Sequence, residues 1–175
     1  MKAQQRGAAH SEHGGYNVSQ TLDLAERLNI LGRAQDALDA LEDFDPRRTS
    51  PYGAMVWRAD LVCAYAQLKQ PAKAEASLEY MRAHVRDGPG VLQGALLCAG
   101  DADSLAKAII ASIEDPETRS SILADMQDYL DDPPAQSAWQ KDQREFQHQI
   151  WERPDVRAAV AKYGRVERYP IRQLD

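Results

Sequence analysis

Residues 24–44, LAERLNILGRAQDALDALEDF, and residues 61–81, LVCAYAQLKQPAKAEASLEYM, share one spacing of small and large apolar side chains, offset by 37 positions. Leu24, Ala25, Leu28, Ala37, Leu41 and Phe44 align with Leu61, Val62, Tyr65, Ala74, Leu78 and Met81. The apolar residues of each stretch recur at helical intervals on both sides of a turn signal. A period of this size with two helical patterns per unit predicts stacked helical hairpins rather than one closed core. Such arrays rarely do chemistry; they present surfaces to other molecules.

Working outward, the first helix is expected over about 17–31, with Leu22, Leu24, Leu28 and Leu31 as its buried stripe. Gly32 fits the turn, and a second helix over 33–44 stops before Asp45-Pro46, where proline cannot continue the hydrogen-bond ladder. Ser50-Pro51 supplies a cap and a first-turn proline for a third helix reaching Lys69, and Gln70-Pro71 opens a fourth reaching Arg86. After the loop Asp87-Gly88-Pro89-Gly90, helices are expected over 91–99, 103–113, 116–130, 135–152 and 154–163. No segment alternates over strand length, so the chain reads as all-α: an α–α superhelix of hairpins (17–115) with a C-terminal helical cap (116–164). Residues 1–15 read as a flexible arm and 165–175 as an extended basic tail.

The paired units resemble the tetratricopeptide repeat, a 34-residue helix–turn–helix stacked into a superhelix. Leu24-Ala25 and Leu61-Val62 match its bulky–small pair, and Leu28 and Tyr65 its aromatic site. Ala37 and Ala74 match the small residue of the second helix, Leu41 and Leu78 the larger closing residue, and Gly32 the turn glycine. A third, weaker unit places Gly94 and Leu97 on its first helix and Ala106, Ile110 and Ile113 on its second. The tryptophan usual in the first helix is missing, Leu28 replaces the aromatic, and the offsets are 37 and then 32.

The resemblance implies a protein or peptide partner held in the concave groove lined by the first helices. Carried over, the groove falls near Leu22, Glu26, Asn29, Ala59, Cys63, Ala66, Val91 and Ala95, a largely apolar set without a basic cluster. That composition disfavours a clamp for a terminal carboxylate. An apolar groove must be covered, by a partner or by part of this chain. The internal candidate is the helix whose Trp139, Phe146 and Ile150 share one face. As a structural cap it packs on the last repeat; as an occupant it fills the groove.

The totals narrow the partner. The 175 residues suit one substantial domain, and 43% apolar with 27% charged residues is ordinary for a globular protein. A net charge of −6 argues against general nucleic-acid binding, and no apolar run is long enough to span a bilayer. The charge is uneven. Residues 153–175 hold six basic and three acidic side chains, for +3, which leaves −9 on the rest. Arg165, Arg168 and Tyr169 of the tail form a second contact patch, suited to adding a strand to a partner or to lying along the chain's own helices. Cys63 and Cys98 sit in apolar helical patterns without CxxC spacing and read as buried reduced thiols, although sequence leaves a disulfide open. With a polar amino-terminal stretch, the default setting is the cytosol.

Signals for chemistry are weak. His10 and His13 form an HxxH in the arm, where no helix supports a metal pair, and His84 and His148 stand alone. Asp125, Asp128, Asp131 and Asp132 make an acidic stripe without a calcium-loop pattern, and the tail arginines are its candidate partners. No nucleophile elbow or phosphate loop is present. The sequence thus predicts a non-catalytic, cofactor-free adaptor in a bacterial cytosol that binds another protein or peptide through Leu22, Asn29, Ala59, Cys63 and Val91. A self-closed regulator of a neighbouring enzyme is the alternative, and a metal-dependent hydrolase using the aspartates the third reading.

Overall fold

The computed structural model describes residues 18–130 and 134–170. The arm residues 1–15, His10 and His13 among them, fall outside this range, as do Asp131, Asp132 and the end of the tail. The described chain is all-α, with nine α-helices and one pair of two-residue strands. Helices α1 (Val18–Ile30) and α2 (Ala34–Ala40), α3 (Pro51–Gln67) and α4 (Pro71–Ala83), and α5 (Pro89–Ala99) and α6 (Ala102–Glu114) form three successive hairpins. Then follow α7 (Arg119–Asp125), α8 (Ala138–Trp151) and α9 (Pro154–Tyr163). No helix among the described residues is long and apolar enough to cross a membrane.

All three hairpins turn in the same way. Gly32, Lys69 and Gly100 have left-handed backbones, with φ of 74°, 57° and 72°. At each turn the next amide reaches back five residues: Arg33 to the Leu28 carbonyl (2.9 Å), Gln70 to Tyr65 (2.8 Å) and Asp101 to Leu96 (3.1 Å). The left-handed residue itself donates three residues back, to Asn29, Ala66 and Leu97. This double bond satisfies carbonyls that a helix end otherwise leaves open, and it reverses the chain within two residues. Glycine adopts the conformation freely, whereas Lys69 holds it against a Cβ clash.

First helices pack on first helices, α1 on α3 and α3 on α5, while α2 touches α3 and α4 touches α5. The aligned residues of the first two units are buried or half-buried throughout. The third unit departs from its expected register. On α5 the buried residues are Leu92, Ala95 and Leu96, while Gly94 is exposed and Leu97 half-buried. Ala95, expected in the groove, turns into the core with Leu96, while Gly94 and Leu97 turn to the groove, because one residue turns a helix by about 100°.

Several boundaries also differ from expectation. Helix α2 ends at Ala40; Leu41 and Phe44 follow in tight turns that tuck both side chains into the core. Asp115-Pro116-Glu117 forms a turn rather than a helix start, with Asp115 accepting from the Glu117 amide at 2.9 Å. Thr118 and Arg119 donate side-chain hydrogen bonds to the carbonyls of Ser112, Ile113 and Glu114, closing the end of α6. Instead of a helix to Leu130, Asp128–Tyr129 (β1) pairs in parallel with Arg168–Tyr169 (β2).

The largest core cluster runs from Met55, Leu78 and Met81 through Leu96 and Ile113 to Ile150, Val156 and Val160. The cap helices α8 and α9 therefore share a core with the hairpins. Two smaller clusters join α1 and α2 to α3, around Leu28, Ala37 and Ala64 and around Leu22, Ala25, Leu41 and Phe44. Replacing Lys69 by Gly should stabilise the protein by about 0.5–1 kcal/mol, and Gly32→Ala should destabilise it by a similar amount. Urea denaturation of both variants checks this, and destabilisation by Lys69→Gly would show that the turn is not under backbone strain.

Candidate functional site

Helices α1, α3 and α5 present one residue strip each to a common concavity, and α8 stands along its side. The cavity measures about 600 Å³ and is lined by Glu26, Asn29 and Ile30 of α1 and by Val56, Ala59, Asp60 and Cys63 of α3. Gly90, Val91, Gly94, Leu97 and Cys98 of α5 complete its floor, with Tyr52 and Gly88 at one end and Trp139, Gln140 and Gln143 of α8 on the flank. Each strip follows helical spacing of three and four residues, so one helix face supplies the groove while the opposite face feeds the core. Among the described residues, no lysine, arginine or histidine lines it.

Asn29, Ala59, Cys63 and Val91, expected in the groove, are all there, as is Glu26. Leu22 is not. It is 6% exposed and packs with Ala25, Leu41 and Phe44, because residues three apart on α1 share the core face. Ala95 is fully buried in the main core, and Ala66 lines an adjoining cavity that Trp139 and Gln143 also border. Asn29 has a structural duty as well: its amide donates to the Asp60 carbonyl oxygen at 3.0 Å, and Gln67 donates to Asn29, fastening α1 to α3.

Arg165, Arg168 and Tyr169 lie outside the groove. The tail packs on its own body over 165–170: Arg168 Nε meets Asp128 Oδ2 at 2.7 Å, the Tyr129 and Tyr169 rings lie 6.0 Å apart, and Gln127 accepts from the Glu167 amide at 2.8 Å. A tail arginine thus serves the aspartate stripe at Asp128. The three side chains remain exposed. Among the described residues, no cluster of three or more His, Cys, Asp or Glu side chains is arranged to hold a metal ion.

The face of α8 divides in two. Ile150 is buried in the main core and Phe146 packs against it, whereas Trp139 borders the groove. Ser137 fastens the helix start: its hydroxyl accepts from the Gln140 amide at 3.0 Å and donates to the Ile30 carbonyl, an open acceptor at the end of α1. The cap therefore reaches the first hairpin and walls the groove without filling it.

Cys63 and Cys98 form a disulfide in the groove floor, which overturns the expectation of reduced thiols. Both cysteines are half-buried, Cys98 packing against the main core, and the stacking of α3 on α5 brings their Cα atoms to 4.9 Å. Sequence had missed two further features, Asp60 and Trp139's position at the rim. Asp60 is 5% exposed, and its Oδ2 has no hydrogen-bond partner. Burial raises its carboxyl well above the usual range, with Glu26 and Asp23 adding repulsion and the Asn29 amide working the other way. Its signal was available: Asp60 stands four residues after Val56 and three before Cys63, a lone acid on that apolar face.

Comparison with known families, curated proteins and solved structures finds no match for this chain.

Two outcomes follow. Reducing the disulfide, which closes a separation of 35 residues, should lower stability by about 3–4 kcal/mol on the loop-entropy argument. That corresponds to a fall in Tm of roughly 10 °C, and an unchanged melt in reductant contradicts it. The second concerns pH. The folded state holds the Asp60 proton to higher pH than the unfolded chain, so stability falls as pH rises from the unfolded value through the folded one. Asp60→Asn should therefore stabilise the protein by roughly 1–3 kcal/mol at pH 8. The gain should close as pH falls toward about 4, where the unfolded carboxyl titrates. Paired melts at the two pH values decide, and an equal gain at both would exclude ionisation as the cause.

Proposed function

We propose that this protein is a non-catalytic adaptor that binds a protein or peptide segment in the groove between α1, α3, α5 and α8. The observation that carries the reading is an open apolar concavity of about 600 Å³ whose own cap helix stands beside it rather than in it. Apolar surface of this kind is stabilised by a partner's apolar side chains. The repeated left-handed turns and the stacking of first helices support the likeness to tetratricopeptide hairpins, in which the equivalent surface receives peptides. The exposed Arg165, Arg168 and Tyr169 are a second, weaker contact patch in this proposal.

The alternative of a self-closed regulator draws on α8, because Trp139 and the Ser137 bridge narrow the groove from one side. The open volume favours the adaptor. A reducing cytosol would open the Cys63–Cys98 bridge, so work there requires the groove to function with free thiols, while the cross-linked form belongs to an oxidising setting.

Gly94 provides the test. A Cβ built there meets nothing within 4 Å, so a side chain added at this lining position starts in open space. Gly94→Leu should keep or raise thermal stability, since glycine costs about 1 kcal/mol in a helix. It should also reduce binding to immobilised apolar peptides at least tenfold. Undiminished peptide binding by a folded Gly94→Leu variant would remove the groove from consideration.

A further inference from the structure

We infer that the groove selects a peptide segment carrying a lysine or arginine among apolar residues, with the cation seated against Asp60 and Glu26. This rests on the groove-binding reading and names its ligand chemistry. Three observations meet here. Asp60 borders the groove, is 5% exposed, and leaves Oδ2 without any donor. Buried polar atoms in folded proteins are nearly always hydrogen-bonded, and a buried oxygen without a donor just beneath a groove lining marks a place where a donor is missing. Glu26 lies on the same lining, and no basic side chain among the described residues offsets either carboxylate there.

The rest of the surface fits a long cationic side chain rather than a bare ion. Val56, Val91 and Leu97 offer apolar contact to a methylene stem. Tyr52 and Trp139 supply aromatic surface, which favours a guanidinium or ammonium. The charge pattern is the reverse of a carboxylate clamp: a basic group arriving among these walls meets two acidic side chains and no competing cation, while an acidic group is repelled. Pairing also removes the penalty of an unpartnered buried acid, so the site strengthens the bound state in proportion to the strain it relieves in the free one.

The test uses the full-length oxidised protein and an immobilised panel of end-capped octapeptides of Leu, Val and Ser. Their central position is occupied in turn by Lys, Arg, norleucine, Gln or Glu. The expected result is at least tenfold tighter retention of the Lys and Arg peptides than of norleucine, with Glu weakest. Asp60→Asn should collapse that preference to threefold or less. Glu26→Gln, an exposed substitution that leaves the core untouched, should lower it by a smaller factor.

Equal retention of all five peptides overturns the cation preference while leaving the groove reading intact. Retention of none, by the whole chain and by a chain lacking residues 1–17 alike, overturns both. A basic preference that persists in Asp60→Asn or in the groove-filling Gly94→Leu places the cation elsewhere and overturns the assignment. If deleting residues 1–17, which include Lys2 and Arg6, is required before any panel peptide binds, the occupant is the chain's own amino-terminal segment and the external partner is excluded. Self-association abolished by Gly94→Leu would equally replace the peptide by a second copy.

Discussion

The packing of α3 against four other helices is the constraint on which the remaining structure depends. Most helices of a globular protein have one apolar stripe and one wet face; α3 has apolar residues all round. Met55 and Val62 enter the main core, Ala64 meets α1 and α2 around Leu28, and Val56, Trp57 and Leu61 pack on the cluster of Leu22 and Phe44. A helix of this kind is stable only when surrounded. Its small residues, Ala54, Ala59, Ala64 and Ala66, allow neighbours to come close, so α1 and α5 lie on either side of it and the groove is the concavity left between them.

That arrangement explains why the site holds both apolar surface and an isolated charge. The strip of α3 between α1 and α5 that lines the groove runs Val56, Ala59, Asp60, Cys63. The disulfide to Cys98 locks α3 to α5 at the same level, while the Asn29 amide and Gln67 hold α1 to α3. The two fastenings resist spreading of the groove. Between these fastenings Asp60 is held buried, with Oδ2 lacking a donor and the Asn29 amide beside it.

The cap acts at a distance from its own core. Ile150, Val156 and Val160 anchor α8 and α9 in the cluster shared with α5 and α6. Arg153 Nη1 reaches Asp103 at 2.9 Å at the start of α6, fixing the joint between the two cap helices. From that base α8 extends until Ser137 meets Ile30, so the last long helix touches the first hairpin. The groove becomes a walled channel, and Trp139 marks the rim. A chain built only of hairpins would leave that side open.

Hairpin identity and much of the groove were legible in the residues themselves. The apolar period set the first two hairpins, and the helical spacing of Asn29, Ala59, Cys63 and Val91 put them on a shared surface, because local periodicity determines which face a side chain takes. Where two faces compete, spacing alone misleads: Leu22 went to the core, and α5 rotated to bury Ala95 and Leu96. The bounds of α2 and α7 were equally out of reach: Leu41 and Phe44 turn into the core, Thr118 and Arg119 close the end of α6 before α7 starts, and Asp128–Tyr129 pairs with the tail. The disulfide, the Ser137 bridge and the Asn29–Asp60 contact join residues 35, 107 and 31 apart. Such contacts are created when helices stack, and no local pattern encodes their distance or their exclusion of water. The sequence alone determined which helices exist and which faces they offer; tertiary packing decided that those faces enclose an apolar, cross-linked groove with a buried acid in its wall.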